Sequence, residues 1–274
     1  HADMYGAILT ESLSEGSDFG TFFIHNEGYS TMCGHAIIAL TKLAIETGIV
    51  KDKTELTIDA PPGIIRSKAT IVDGQVVETS FLNVPSFLLY RDEVIEVDGI
   101  GNVKFDVSYG GAFYALVDAD DLNLPMTAAN YNQLIDWGKR IKKAVMETYE
   151  IKHPFEEDLS FLYGTIFTGK AHTPGNHSRN VCIFAEGEVD RSATGSGVSA
   201  RAAMHYAKGE LKLNEKITIE SILGTTMDVE VKETLNYGEH DSVIPEVTGK
   251  AWFSGQNEHW IDPNDPLNKG FIFR

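Results

Sequence analysis

The sequence predicts an α+β protein made of two similar halves. Three observations carry that prediction. A polar turn ending in Cys33 runs into an apolar stripe at helical spacing, Ile37, Ile38, Leu40, Leu43 and Ala44, which stops at Gly48. A second polar, glycine-containing turn at 190–197 enters an alanine-rich helical segment that closes on Gly209. Short alternating segments bounded by turn residues fill most of the remaining chain.

Taken in order, residues 7–10 and 20–24 read as strands joined by a polar loop over 11–18. After the Cys33 helix, 55–59 alternates as a strand and Pro61-Pro62-Gly63 turns the chain. Residues 64–71 and 75–81 flank Asp73-Gly74, a hairpin signal. Residues 88–97 read as one or two strands ending near Asp98-Gly99, where the crossover into the second half is placed. The pair Gly110-Gly111 marks close backbone packing, at a bulge or at a loop beside a ligand, before a buried strand over 112–117. Residues 131–149 form the clearest amphipathic helix, with Leu134, Ile135, Ile141, Val145 and Met146 on one side. The cluster Lys139, Arg140, Lys142 and Lys143 beside them reads as its solvated face. Strands follow over 161–167 and 180–185, the second holding Cys182 as an inert core residue. After the second turn-and-helix unit, 216–221, 227–233 and 247–253 read as strands.

A length of 274 residues is ample for a core and fits one large or two smaller domains. With 42% hydrophobic and 10% aromatic residues the composition is globular. A formal charge of −17 repels phosphate backbones, so nucleic acid is not an expected partner, and the acidity reads as a solubility device. No apolar run is long enough to cross a membrane and no signal-peptide pattern opens the chain. Two widely separated cysteines, Cys33 and Cys182, argue against a disulfide scaffold and fit a reducing cytoplasm. Neither has zinc-site spacing, so no metal is expected.

The two turns carry the chemistry. Cys33 is expected at a helix amino end, where free N–H groups and the helix dipole favour thiolate. The N–H groups of Gly34 and His35 are placed to hold a carboxylate, and Gly34 lets a ligand approach the backbone. The bland alternative is a buried cysteine under a helix. The recurrence at Thr194, followed by Gly195 as Cys33 is by Gly34, favours two helix ends aimed at a shared site.

These motifs resemble the proline racemase family, which includes hydroxyproline epimerases and trans-3-hydroxy-L-proline dehydratases. The matching stretches are MCGH at 32–35, YGGAFYALVD at 109–118, FLYGTIFTG at 161–169, DRSATGSGVSAR at 190–201, and the late PEVTGKAWFSG and DPLNKGF. The resemblance implies a diaminopimelate-epimerase-like fold: two pseudo-symmetric lobes, each a curved sheet around a central helix, with the active site in the cleft. One lobe is expected over 1–98 plus about 247–274, carrying Cys33; the other over 99–246, carrying Thr194. Family members have a further amino-terminal segment before His1, so the chain is expected to be truncated or numbered late. Ala36 stands where the family often has glycine.

The resemblance also assigns roles. The N–H groups of Gly34, His35, Gly195 and Ser196 hold the substrate carboxylate, and His35 and Asp190 flank its ring nitrogen. Racemases and epimerases of the family usually carry a second cysteine where this chain has Thr194; threonine there looks like the dehydratase branch. A threonine hydroxyl is too weakly acidic to act as a base near neutral pH. Cys33 then stands alone as base, and one-sided elimination of water from trans-3-hydroxy-L-proline is the expected reaction. No cofactor is implied. The expected partner is a small imino acid, with no nucleic acid and no membrane; a homodimer is left open. An epimerase or racemase in which Thr194 participates, and a non-catalytic imino-acid-binding member, are the alternatives.

Overall fold

The computed structural model describes residues 3–270. Strands β1 (Gly6–Thr10), β2 (Phe19–His25) and β3 (Gly28–Ser30) precede helix α1 (Gly34–Glu46). Then come β4 (Glu55–Ala60), β5 (Gly63–Val72), β6 (Gln75–Leu82), β7 (Ser86–Val97), β8 (Gly101–Tyr109) and β9 (Phe113–Asp118). Helix α2 (Tyr131–Thr148) leads to β10 (Leu162–Gly169), β11 (Ser178–Phe184) and the short β12 (Glu188–Val189). Helix α3 (Gly195–Ala207) is followed by β13 (Lys216–Glu220), β14 (Thr226–Tyr237) and β15 (His240–Gly249).

All the strands belong to one mixed sheet. Its order is β1-β2-β4-β5-β6-β15-β14-β13-β11-β10-β9-β8-β7, and β7 returns to β15. The stretch from β15 round to β7 is therefore a closed barrel, which leaves no free edge there. The closing pairs are Ser242 with Phe87 and Val243 with Ser86. A few residues on, 246–249 pair with 82–79 of β6. One strand thus serves both the barrel and the sheet that begins at β1.

Local chemistry explains the elements. Asp73 and Gly74 both adopt positive φ, 50° and 79°, which makes the two-residue turn that matches strand twist. Helix α1 buries Ile37, Ile38, Leu40, Thr41 and Ala44 and packs on β5, β6 and β15. Helix α3 is buried from Gly195 to His205 and packs against β7, β8, β14 and β15. Its small residues let the strands close around it. A Cβ at Gly110 would stand 2.2 Å from the Ser196 carbonyl oxygen and 2.5 Å from the Ala200 nitrogen. Gly110 thus serves close packing of the 109–111 loop on α3, and Gly111, at φ 96°, lies against Met32. Buried polar bonds fix α3 in place: the Asn83 amide donates to Gly110 O and Ser199 Oγ, both at 2.8 Å. Ser108 Oγ donates to Ala200 O at 2.7 Å.

Several sequence expectations need correction. Strand β3, at 28–30, pairs with the end of β2; no strand is expected there, and its last residue, Ser30, opens the polar turn. The strand expected over 247–253 is the end of β15, which starts at His240; Trp252 and Phe253 are exposed and outside it. Pro245 masked this strand, since proline marks edges and bulges, and it does sit at a bulge, opposite Val231. Of the one or two strands expected over 88–97 there is one, β7, bent by two bulges. Met146 is exposed, and Leu134, Gly138, Ile141 and Val145 form the buried face of α2. The end of the expected 247–274 return, 271–274, and Phe271 of DPLNKGF lie outside the described residues.

Candidate active site

The site forms where the two helices begin. Cys33 is the N-cap of α1, with φ −138° and ψ 97°, and its Sγ accepts from the Ala36 N–H at 3.4 Å. The first intrahelical bond runs from Ile37 N to Cys33 O, so the N–H groups of Gly34 and His35 have no intrahelical acceptor. Thr194 caps α3 differently. Its φ of 66° is an outlier for a β-branched residue, a conformation that the surroundings must hold in place. Asn180 Nδ2 donates to Ala193 O at 3.0 Å and the Thr194 N–H donates to Ser192 Oγ at 3.0 Å. The Thr194 hydroxyl donates to Asp190 Oδ2 at 3.0 Å instead of capping the helix. Val198 N bonds Thr194 O, leaving the Gly195 and Ser196 N–H groups without intrahelical acceptors.

The two helix ends touch. A Cβ at Gly195 would lie 2.6 Å from Gly34 Cα, and one at Gly34 would lie 2.7 Å from Gly195 Cα. The smallness of Gly34, expected to admit a ligand, here admits the other helix. Cys33, Gly34 and His35 from α1 line one small cavity together with Asp190, Thr194, Gly195 and Ser196. Its volume is about 10 Å³, room for about one water molecule.

Asp190 and His35 form the polar side of this cavity. His35 Nδ1 lies 3.5 Å from Asp190 Oδ2 and 3.1 Å from Ser192 Oγ. Burial disfavours charge on His35, yet the facing Cys33 and Asp190 outweigh it and raise the imidazole well above its usual 6.5. Burial alone would raise Asp190; His35 and the Ser192 N–H at 2.7 Å hold it below its usual 3.8. Cys182 is fully buried, as read from the sequence, but it lines this cavity beside the Thr194 hydroxyl. Burial and the charge of Asp190 push its thiol well up, which keeps it protonated.

Sequence reasoning missed the aromatic wall: Tyr5, Tyr114, Tyr163 and Phe184. These side chains come from strands or the approach to a strand, where an inward-facing aromatic looks like any core residue. The DMYG stretch at 3–6, with a tyrosine just before a glycine, was the available signal for Tyr5. Among the described residues no helix is long and apolar enough to cross a membrane. Also among them, no group of three or more histidine, cysteine, aspartate or glutamate side chains is arranged to hold a metal ion.

A family model described as proline racemase matches residues 1–272. The chain belongs to the proline racemase family. Within that family, a trans-3-hydroxy-L-proline dehydratase of Colwellia psychrerythraea is 52% identical over 277 residues, covering 100% of this chain and 78% of that protein. A proline racemase of Clostridioides difficile is 40% identical over 278 residues, covering 100% of this chain and 83% of its own. Among solved structures, a hydroxyproline epimerase from Agrobacterium vitis with bound trans-4-hydroxy-L-proline superposes with a TM-score of 0.92 at 26% identity. That match covers 97% of this chain and 77% of the epimerase. The mixed barrel with few helices is thus the architecture of proline racemase relatives.

Proposed function

We propose that this proline racemase family member dehydrates trans-3-hydroxy-L-proline to pyrroline-2-carboxylate without a cofactor, with Cys33 as the base. The observation that carries the reading is the state of Thr194. Its side chain is an alcohol, too weakly acidic to serve near neutral pH as the base that a second thiol would be, and it donates to Asp190 at 3.0 Å. The dehydratase name of a 52% identical relative supports the same branch. Cys182, the other thiol in the cavity, is held protonated by burial and lies at the Thr194 side.

The chain works as two halves, 1–98 with about 247–274 and 99–246, except that β7 closes the barrel and so belongs with 99–246. The substrate occupies the cleft between the helix ends. Its carboxylate lies against the N–H groups of Gly34, His35, Gly195 and Ser196, where two helix dipoles stabilise negative charge growing toward the carboxylate. Asp190 and His35 flank the ring nitrogen, and Asp190 favours its protonated form. Cys33 then removes the α proton, the electron pair forms the C2–C3 double bond, and the 3-hydroxyl leaves. The enamine tautomerises to pyrroline-2-carboxylate unaided. Proton NMR of trans-3-hydroxy-L-proline with the native protein tests this: the pyrroline should form, and an unchanged spectrum would refute it.

Two variants probe the arrangement. The cavity is small, and the contact between Gly34 and Gly195 sets the spacing of the two helix ends that face it. Gly195→Ala puts a methyl 2.6 Å from Gly34 Cα and forces the two helix ends apart. The expected loss in kcat/KM is about 100-fold, the scale of an ångström-level misplacement, with weaker binding of pyrrole-2-carboxylate, a planar carbanion mimic, in calorimetry.

Asp190→Asn should lower kcat by about 100-fold and raise KM less, the pattern of a group that acts in the transition state. It also removes the pairing with His35. In the native protein the His35 contribution to stability is whole below pH 6.5 and is lost as pH climbs through its raised value. The Asp190 contribution is whole above pH 3.8 and is lost as pH falls through its depressed value. The Tm difference between native and variant should therefore narrow at alkaline pH.

A further inference from the structure

Elimination of water needs a second proton transfer, to the departing hydroxyl. In the trans isomer the α hydrogen and the 3-hydroxyl both lie opposite the carboxylate, hence on one ring face. That face meets Cys33. The proton donor must therefore stand on the Cys33 side and have a hydrogen to give; His35, the charged group there, is already engaged by Asp190 and assigned to the ring nitrogen.

Three tyrosines in the cavity wall are the hydroxyl candidates. Tyr114 is on the other side: its hydroxyl pairs with Ser196 Oγ at 2.8 Å and feels Cys182 and Asp190. Tyr163 accepts from Ser30 Oγ at 3.0 Å and stacks on Phe184. Tyr5 differs from both. Its hydroxyl is buried beside those of Ser30 and Tyr163 but meets no partner in hydrogen-bonding geometry. Its ring stands edge-on to His35, with centroids 5.6 Å apart, on the Cys33 side. Buried hydroxyls are normally satisfied, and an exception inside a reactive cavity points to a partner that arrives with the substrate.

We propose that the Tyr5 hydroxyl is the acid that protonates the departing 3-hydroxyl. The proposal rests on the dehydratase reading and completes it. Cys33 sulfur takes the α proton; the C–H pair becomes the C2–C3 double bond; the C3–O bond breaks, and its oxygen takes the Tyr5 proton and leaves as water. The thiol proton then returns to the Tyr5 oxygen, directly or across the Ser30 hydroxyl, and both residues are restored. One substrate gives one enamine and one water.

The two residues are coupled in the right sense. Burial, and then negative charge on Cys33, hold the proton on Tyr5. Protonation of Cys33 removes the smaller of those two effects, and the departing oxygen supplies the acceptor that the buried hydroxyl otherwise lacks.

The test is Tyr5→Phe, assayed on trans-3-hydroxy-L-proline and on trans-3-fluoro-L-proline. Fluoride leaves without needing a proton. Loss of a general acid should cost about 100-fold or more on the hydroxy substrate, against less than about five-fold on the fluoro substrate. Equal losses on both would overturn the proposal, since they would mark a role in shape or folding. Near-native dehydration by the variant would also overturn it, while leaving the dehydratase reading intact. Native protein that releases fluoride but never water would instead refute the dehydratase reading, and this proposal with it.

Discussion

Cys33→Ser should lose about 1,000-fold or more of its turnover on trans-3-hydroxy-L-proline, the upper range for removing a positioned base. The substitution isolates the chemistry because it spares the fold. Cys33 caps α1 through a 3.4 Å contact from the Ala36 N–H, and serine is among the preferred residues for that position. The hydroxyl can take over the cap, so the Tm should move by only a few degrees, about what 1 kcal/mol produces in a chain of this size. Pyrrole-2-carboxylate should still bind, since the N–H groups of Gly34 and His35 belong to the backbone. Full activity in the serine variant would remove Cys33 from the mechanism.

Thr194→Cys should epimerise trans-4-hydroxy-L-proline at its α carbon, and the native protein should not. Three features of the site argue for it. The residue already sits at the start of α3, where the helix dipole and free N–H groups favour a thiolate. The Thr194 hydroxyl bond to Asp190 disappears, which frees the new side chain to face the substrate. Cysteine is not β-branched, so it fits φ 66° with less strain than threonine. With Cys33 on one face and a thiol on the other, an acid and a base flank the α carbon. Chiral chromatography should detect the epimer from the variant and none from the native protein. Because Cys182 lies beside position 194, the assay is run with a reductant. Epimerase turnover in the native protein, abolished by Thr194→Ala, would make Thr194 a participant and contradict this account.

The helix starts were the most legible part of this chain. Gly34, His35, Gly195 and Ser196 follow their caps directly, and the chemistry of a helix amino end depends on little beyond the next few residues. The structure places all four around one cavity with Cys33, Asp190 and Thr194. What local pattern could not supply was long-range pairing. The bond between β7 and β15 that closes the barrel joins residues about a hundred and fifty positions apart, and no alternation of side chains announces it. Pro245 concealed the start of β15, because the bulge opposite Val231 that accommodates it depends on the partner strand. Tyr5 illustrates the same limit within the site. An aromatic residue just ahead of a strand reads as core, and only the assembled cavity sets its unpaired hydroxyl beside Cys33.

The central claim is that proton transfer at the α carbon occurs from one face only. L-Proline, which has no leaving group, exposes that most directly. In deuterium oxide, Cys33 can remove the α proton and return a deuteron only to the face it came from. Deuterium should enter Cα of L-proline with its configuration kept, read by proton NMR and chiral chromatography. Deuterated D-proline formed by the native protein would contradict it and would bring Cys182 and Thr194 forward as the second acid–base group.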